Sequence, residues 1–469
     1  MQIKTGKGPV TLMVVIAIWS LSLAVDLPGL AVTPIEGKLH EIYHDVTDFK
    51  IQLLTVLPNL VIIPFVLLSG KLSETRHKEA VIVTGIILYA LSGGLSMVSG
   101  SLTVLIWLSC LLGAGCGLIL PFATGLIADV FSGKYRTKQM GIVSAIGNIA
   151  LVAATFAVGF LASIDLHLPF VVYLLPLVSL FLLPWLRKIP QQDLVEGATP
   201  ATPPNSNAQV APSPQNASSG QTVQSTTPSP SPENTQSVPS SPTSETTAAS
   251  PASPALDQID PFGFSYSNQK VKWGFYIGRT VWLMIAYCLF ELICTLQAYY
   301  LPNLMPQYGM STEDVSMVTS VFYFAMFLIG IFVTAVLKVF KKWTFIVSTA
   351  VIVLGFVIYL TSRSMPMFIL AAGLVGLGNG QTQPIFYTKA AELVTNGSKS
   401  TLALALLQAA NYVGITLVPV VVNLFVFIFH NHSNLFPFVI GLVMTSLVLL
   451  VVIIRSRHFV FGIHKQYYE

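Results

Sequence analysis

Leu112-Gly113-Ala114-Gly115-Cys116-Gly117-Leu118-Ile119-Leu120-Pro121 and Val375-Gly376-Leu377-Gly378-Asn379-Gly380-Gln381-Thr382-Gln383-Pro384 are two copies of one pattern, the second lying 263 positions after the first. Three glycines at alternate positions and a proline match without a gap. At the same offset Ala128 and Asp129 meet Ala391 and Glu392, Arg136 meets Lys399, and Asn148 meets Asn411. One Gly-rich apolar helix says little, because small residues recur wherever membrane helices approach closely. A pattern that stays in register through two consecutive helices points to an internal repeat.

The surroundings of these stretches place the chain in lipid. Of its 469 residues 53% are hydrophobic and only 9% charged, with a mean hydropathy of +0.72, whereas soluble domains are about 25% charged. Six apolar stretches long enough to cross a bilayer, which takes about 20 residues, precede residue 190, at 9–32, 49–69, 80–98, 102–127, 140–163 and 168–186. Six more follow residue 270, at 280–301, 315–337, 344–361, 366–388, 401–429 and 436–454. Lys4 and Lys7 before the first stretch resemble the start of a signal peptide, but the stretch is long enough to span and reads as retained. Six helices return the chain to its starting side, so the two copies are parallel repeats. With a cytoplasmic N-terminus the external loops hold only Lys38, Lys50 and Arg363. The positive-inside rule therefore puts both termini in the cytoplasm.

Between the repeats the composition turns to Pro, Ser, Thr, Ala, Gln and Asn, and from Ala198 to Ala255 the only charges are Glu233 and Glu245. Such a segment cannot bury enough apolar surface to offset its ordering entropy, so a disordered cytoplasmic linker is expected at 190–270, between a six-helix half at 1–189 and another at 271–469. A net charge of +4 comes without any basic cluster, which argues against a nucleic-acid partner. Cys110, Cys116, Cys288 and Cys294 all lie in apolar runs and form no disulfide framework. There is no HExxH, no GxxxxGK[ST] and no Cys/His cluster with ligand spacing. Intramembrane metalloenzymes and ATP-driven pumps are thereby disfavoured, and neither metal nor cofactor is expected.

Polar side chains fall in stripes. Helix 1 carries Trp19, Ser22, Asp26, Gly29 and Thr33; helix 2 Gln52, Thr55 and Asn59; helix 5 Ser144, Asn148 and Thr155; helix 10 Asn379, Gln383 and Tyr387; helix 11 Gln408 and Asn411. Helices 3, 6, 9 and 12 contain no Asn, Gln or charge and read as lipid-like all round. A stripe in hydrocarbon either joins helices or lines a watery cavity; five together favour a shared cavity. Two carboxylates sit inside spans, Asp26 in the outer half of helix 1 and Glu291 near the middle of helix 7. An ionised carboxylate there costs about 2.5 to 3.5 kcal/mol, so each is a functional candidate. Burial disfavours the charged form, which suits proton uptake and release or substrate contact. Tyr287, Glu291 and Thr295 share one face of helix 7. The alternatives are a protonated structural donor for Glu291 and a solvated cavity mouth for Asp26.

Gly70-Lys71-Leu72-Ser73-Glu74-Thr75-Arg76-His77-Lys78 is similar to the loop between helices 2 and 3 of the major facilitator superfamily, G-x-L-[AS]-D-[RK]-x-G-[RK]. Glu74, Thr75 and His77 depart from that pattern. Ile119-Leu120-Pro121 through Asp129, then Lys134, Arg136 and Gly141, resemble Firmicute drug-efflux-like permeases, as does Ile51-Gln52-Leu53-Leu54 through Pro58. The resemblance implies an all-α membrane protein of twelve helices in two parallel six-helix repeats around a central cavity. It also implies cytoplasmic gating at Gly70, Glu74, Lys78, Asp129, Arg136, Glu392 and Lys399, although solvated helix ends fit the last four equally. Many proton-coupled exporters of that superfamily carry an Arg in helix 4, where this chain has Ser109, and the Gly-x-x-x-Gly-Pro run of antiporters lacks its Pro here. The expectation is a monomeric multi-pass transporter of a bacterial plasma membrane, exporting a cationic or neutral amphipathic small molecule against protons. Uptake or uniport of a nutrient, or a sensor or scaffold on the same fold, are the alternatives.

Overall fold

Each apolar stretch read from the sequence carries a helix in the computed structural model, which describes residues 2–6, 8–24, 27–28, 48–73, 78–165, 167–186, 271–272, 275–394, 399–464 and 467. The first half holds α1 (Leu12–Ser20, continued by a 3-10 turn Leu21–Ala24), α2 (Asp48–Leu72), α3 (Lys78–Ser96), α4 (Leu102–Val130), α5 (Gly133–Ile164) and α6 (Val178–Leu186). The second holds α7 (Ile277–Leu304), α8 (Thr312–Phe340), α9 (Thr344–Thr361), α10 (Met365–Glu392), α11 (Ser400–Phe429) and α12 (Phe436–Ile454). The expected linker at 190–270 lies outside the described residues. A short hairpin precedes α1, β1 (Gln2–Lys4) pairing with β2 (Pro9–Thr11), and a second precedes α7, β3 (Val271–Lys272) pairing with β4 (Phe275–Tyr276).

Local chemistry sets several boundaries. α8 begins at a capping box, the Ser311 backbone N–H donating to Asp314 Oδ2 at 2.8 Å and the Asp314 N–H to Ser311 Oγ at 3.2 Å. The sixth span, expected as one helix, is instead a 3-10 stretch Leu168–Leu177 that relaxes into α6. Pro169 and Pro176 explain this, since each removes a backbone donor and crowds the preceding turn.

Eight stretches among the described residues are long and apolar enough to cross a membrane, one of them, Glu313–Thr361, holding both α8 and α9. α10 is not among them, because Asn379, Gln381 and Gln383 dilute its apolarity; protein covers it from Ala371 onward.

The packing repeats with the sequence. α2 packs on α4 as α8 packs on α10; α3 packs on α4 as α9 packs on α10. The halves meet where α5 packs on α8 and α10, and where α11 packs on α2 and α4. The paired glycines explain the register. A Cβ on Gly115 would come within 2.8 Å of the Gly85 carbonyl of α3, and one on Gly378 within 2.7 Å of the Ser348 carbonyl of α9. Those two carbonyls are themselves 263 residues apart. The glycines are where neighbouring backbones touch.

α3, α6, α9 and α12 are not lipid-like all round. Each exposes large apolar side chains such as Ile87, Phe181, Leu354 and Leu447, yet buries another face. In α9, Ser348 donates to Gln381 Oε1 at 2.7 Å and Tyr359 to Gln297 Oε1 at 2.6 Å. Hydroxyl side chains supply polar contacts that the absence of Asn, Gln and charge does not exclude. The end of the bundle that holds the α2–α3, α4–α5 and α10–α11 connections also holds Lys78, Lys134, Arg136, Lys341, Lys342, Lys399 and Arg455; it is the base below.

Candidate functional site

Polar residues from three helices and both halves form one chain toward the base. In α5, Asn148 Nδ2 donates to the Ser144 carbonyl at 2.8 Å, and the Ser144 hydroxyl donates to Gln383 Oε1 of α10. Gln383 Nε2 reaches the Tyr387 hydroxyl at 3.5 Å one turn further, and Tyr287 of α7 donates to that hydroxyl at 3.2 Å. All five are buried, Tyr287 completely. Glu291, one turn from Tyr287, is only 5% exposed, and its charge lies within electrostatic reach of the Tyr287 hydroxyl. Aromatic rings close the same corner, Phe386 5.1 Å and Tyr387 5.8 Å from Tyr287 between centroids.

The second polar junction lies between α11 and α4. Gln408 Nε2 lies 3.3 Å from both the Leu120 carbonyl and Thr124 Oγ1. Gln408 Oε1, Asn411 Oδ1 and Asn379 Oδ1 are buried with no hydrogen-bond partner among the described residues. Within the stripes of α5, α10 and α11, Ser144, Gln383 and Gln408 make hydrogen bonds from one half to the other.

The other sequence candidates distribute as follows. Trp19 Nε1 donates to Gln139 Oε1 of α5 at 3.0 Å, joining α1 to the same region. Ser22 is buried but turns its hydroxyl to the Trp19 carbonyl at 2.6 Å, so it serves its own helix. Asn59 and Thr295 are half-buried. Gln52 lies in α2, its side chain outside the described part, and Asp26 and Glu74 lie outside the described residues altogether.

At the base the halves interlock. A Cβ on Gly70 of α2 would lie 2.4 Å from the Ala405 Cβ of α11, and one on Gly141 of α5 would lie 2.4 Å from the Gly330 carbonyl of α8. Asp129 accepts from the Ser400 hydroxyl at the start of α11 and sits 3.8 Å from Lys78 Nζ. Arg136 donates to the Phe131 and Ala128 carbonyls at 2.9 and 3.2 Å, with Glu392 and Asp129 in electrostatic reach. Lys399, half-buried, immediately precedes Ser400.

Sequence reasoning missed Gln139, Lys389 and Tyr467. Lys389 is buried in α10 with its ammonium donating to the carbonyls of Phe459, Val460 and Gly462 at 2.5, 2.9 and 2.6 Å. Its only signal was a cation three residues before Glu392, at the margin of the expected span.

Comparison with known proteins follows this geometry. The family profile of the Major Facilitator Superfamily matches residues 10–278 and 283–460. Quinolone resistance protein NorA of Staphylococcus aureus (strain MRSA252) is 32% identical over 114 residues, 24% of this chain and 29% of NorA. Multidrug transporter protein MdtP of Bacillus subtilis (strain 168) is 30% identical over 138 residues, 29% of this chain and 24% of MdtP. These matches span less than a third of either relative. The human organic anion transporter MFSD10 (TETRAN) superposes with a TM-score of 0.62 at 14% identity, covering 94% of this chain and 99% of that one. The proton:xylose symporter XylE does so with a TM-score of 0.62 at 12% identity, covering 95% of each. At such identities the likeness shows the fold alone.

Proposed function

The chain belongs to the Major Facilitator Superfamily, whose members are transporters and not enzymes, and from that premise we propose that it exports a cationic or neutral amphipathic small molecule in exchange for protons. The halves rock about the central polar junctions, opening the base and the opposite end in alternation. Glu291 takes up and releases the proton, with Asp26 as a second acid nearer the outer surface. The NorA and MdtP matches support an export role by likeness over part of the chain.

The single observation that carries this reading is the buried Glu291 beside the chain Tyr287, Tyr387, Gln383 and Ser144, which crosses from one half to the other. Neutralising Glu291 changes the electrostatics at one end of that chain, and Ser144 at its far end belongs to the opposite half.

Glu291→Gln keeps the shape and most hydrogen bonding but cannot titrate. In proteoliposomes with ethidium as the probe, an imposed pH gradient should drive accumulation by the wild type. The variant should lose at least about a hundred-fold of that rate, the lower end of what a positioned acid–base group contributes, while ethidium still raises its thermal midpoint. Wild-type gradient-driven flux in a well-folded Glu291→Gln variant, with Asp26→Asn inactive, would transfer the role to helix 1. Normal flux in both would end the proton-coupled reading.

A further inference from the structure

The repeat makes Asp129 and Glu392 counterparts, yet they are held by different parts of the chain. Asp129, in the first half, accepts from Ser400 in the second, a clasp across the base. The repeat maps Ser400 back onto Thr137 of α5. The matching clasp would run from Thr137 to Glu392. Instead Glu392 Oε2 accepts from the Tyr467 hydroxyl at 2.5 Å. The Thr137 hydroxyl, completely buried, has no hydrogen-bond partner among the described residues. A buried polar atom left in that way is destabilising and calls for an explanation.

Several contacts hold the residues that precede Tyr467, from Phe459 to Gly462. Lys389 uses its ammonium on three carbonyls between Phe459 and Gly462. The Arg279 guanidinium lies 5.1 Å over the Phe459 ring, and Phe461 packs edge-on to Phe345 of α9 with centroids 5.9 Å apart. Arg136, the neighbour of Thr137, has Glu392, Tyr467 and Asp129 all within electrostatic reach. Glu392, the acceptor of the second clasp, is thus occupied by Tyr467, and both act electrostatically on the residue next to Thr137.

We propose that Phe459–His464 and Tyr467, beyond α12, act as a built-in regulator of the base, in which Tyr467 competes with Thr137 for Glu392 and leaves one of two symmetry-related clasps undone. With one clasp made, the base is held shut loosely enough to reopen. Release of the segment lets Thr137 engage Glu392 and locks the base. This rests on the alternating-access reading above.

The test uses the full chain with its four native cysteines replaced by alanine and Leu402→Cys as a reporter beside Gly70 at the closed base. The rate of N-ethylmaleimide labelling in membranes measures how often the base opens and needs no substrate, so it reports even if the chain proves not to transport ethidium. Tyr467→Phe, which deletes only the competing hydroxyl, should slow labelling about five-fold, the effect of one added hydrogen bond on a two-state equilibrium. Adding Thr137→Val should restore the original rate. Both changes preserve shape, and a monodisperse size-exclusion profile checks folding. The inference fails if Tyr467→Phe leaves labelling unchanged or speeds it, or if Thr137→Val does not restore it.

Discussion

The α5–α10 junction and the α11–α4 junction occupy equivalent places in the two repeats but carry different chemistry. At the first, Ser144 donates to Gln383; the positions 263 residues away are Leu407 and Leu120. At the second, Gln408, next to Leu407, reaches the Leu120 backbone carbonyl and Thr124. The contact is kept while its donor has moved by one residue and its acceptor from side chain to main chain. The α10 side continues through Tyr387 and Tyr287 to the neighbourhood of Glu291, whereas the α4 side ends on a hydroxyl. Duplication fixes where backbones approach, and later divergence chooses which approach holds titratable chemistry.

The strongest way to break this comparison is at the paired glycines. Gly115→Leu and Gly378→Leu should each eliminate folded protein, because overpacking costs about 1 to 3 kcal/mol and more where a backbone is struck, and the added Cβ would meet atoms 2.6 and 2.4 Å away. Fluorescence-detected size exclusion would read it; a folded protein from one variant alone would show that the repeats are not packed alike. A sharper contrast comes from the two glutamines. Gln383→Leu should reduce gradient-driven ethidium flux about ten-fold or more with the fold intact, since it cuts the path from Ser144 to Tyr387. Gln408→Leu should stay within about three-fold of wild type, having lost hydrogen bonds worth about 1 kcal/mol. Equal losses would abolish the distinction between the junctions. The smallest effect is expected at Thr124→Val, which should lower the thermal midpoint by only a few degrees, in keeping with one neutral hydrogen bond of about 1 kcal/mol. A large loss of flux there would mean that the α4 side also takes part in coupling.

The candidate site was partly legible. Asn148, Tyr287, Glu291, Gln383 and Tyr387 stand out because polar groups in an apolar helix are costly, and a costly residue is visible in one dimension. Their joining through Ser144 was not legible, since α5 and α10 are distant in sequence and Ser144 is unremarkable alone. Ser22 shows the opposite error: it falls on the right stripe, but a serine in a helix readily bonds the carbonyl three or four residues back. Lys389 and Tyr467 escaped because their partners are backbone carbonyls and a carboxylate brought up by the end of the chain. Backbone acceptors leave no trace in composition.

By itself the sequence determined that this chain lies in a membrane, that its helices come in two parallel sets, and that α4 and α10 are counterparts. Hydrophobicity, span length and repeat register are properties of contiguous residues, and lipid imposes them on each segment separately. Only the tertiary structure decided which polar groups meet. It set Ser144 against Gln383 and Gln408 against Thr124, gave Glu392 the Tyr467 hydroxyl as a donor, and buried Lys389 under the segment that follows α12. Those outcomes depend on side-chain geometry across helices, where a hydrogen bond made or missed turns on distances of a few tenths of an ångström that no one-dimensional pattern encodes.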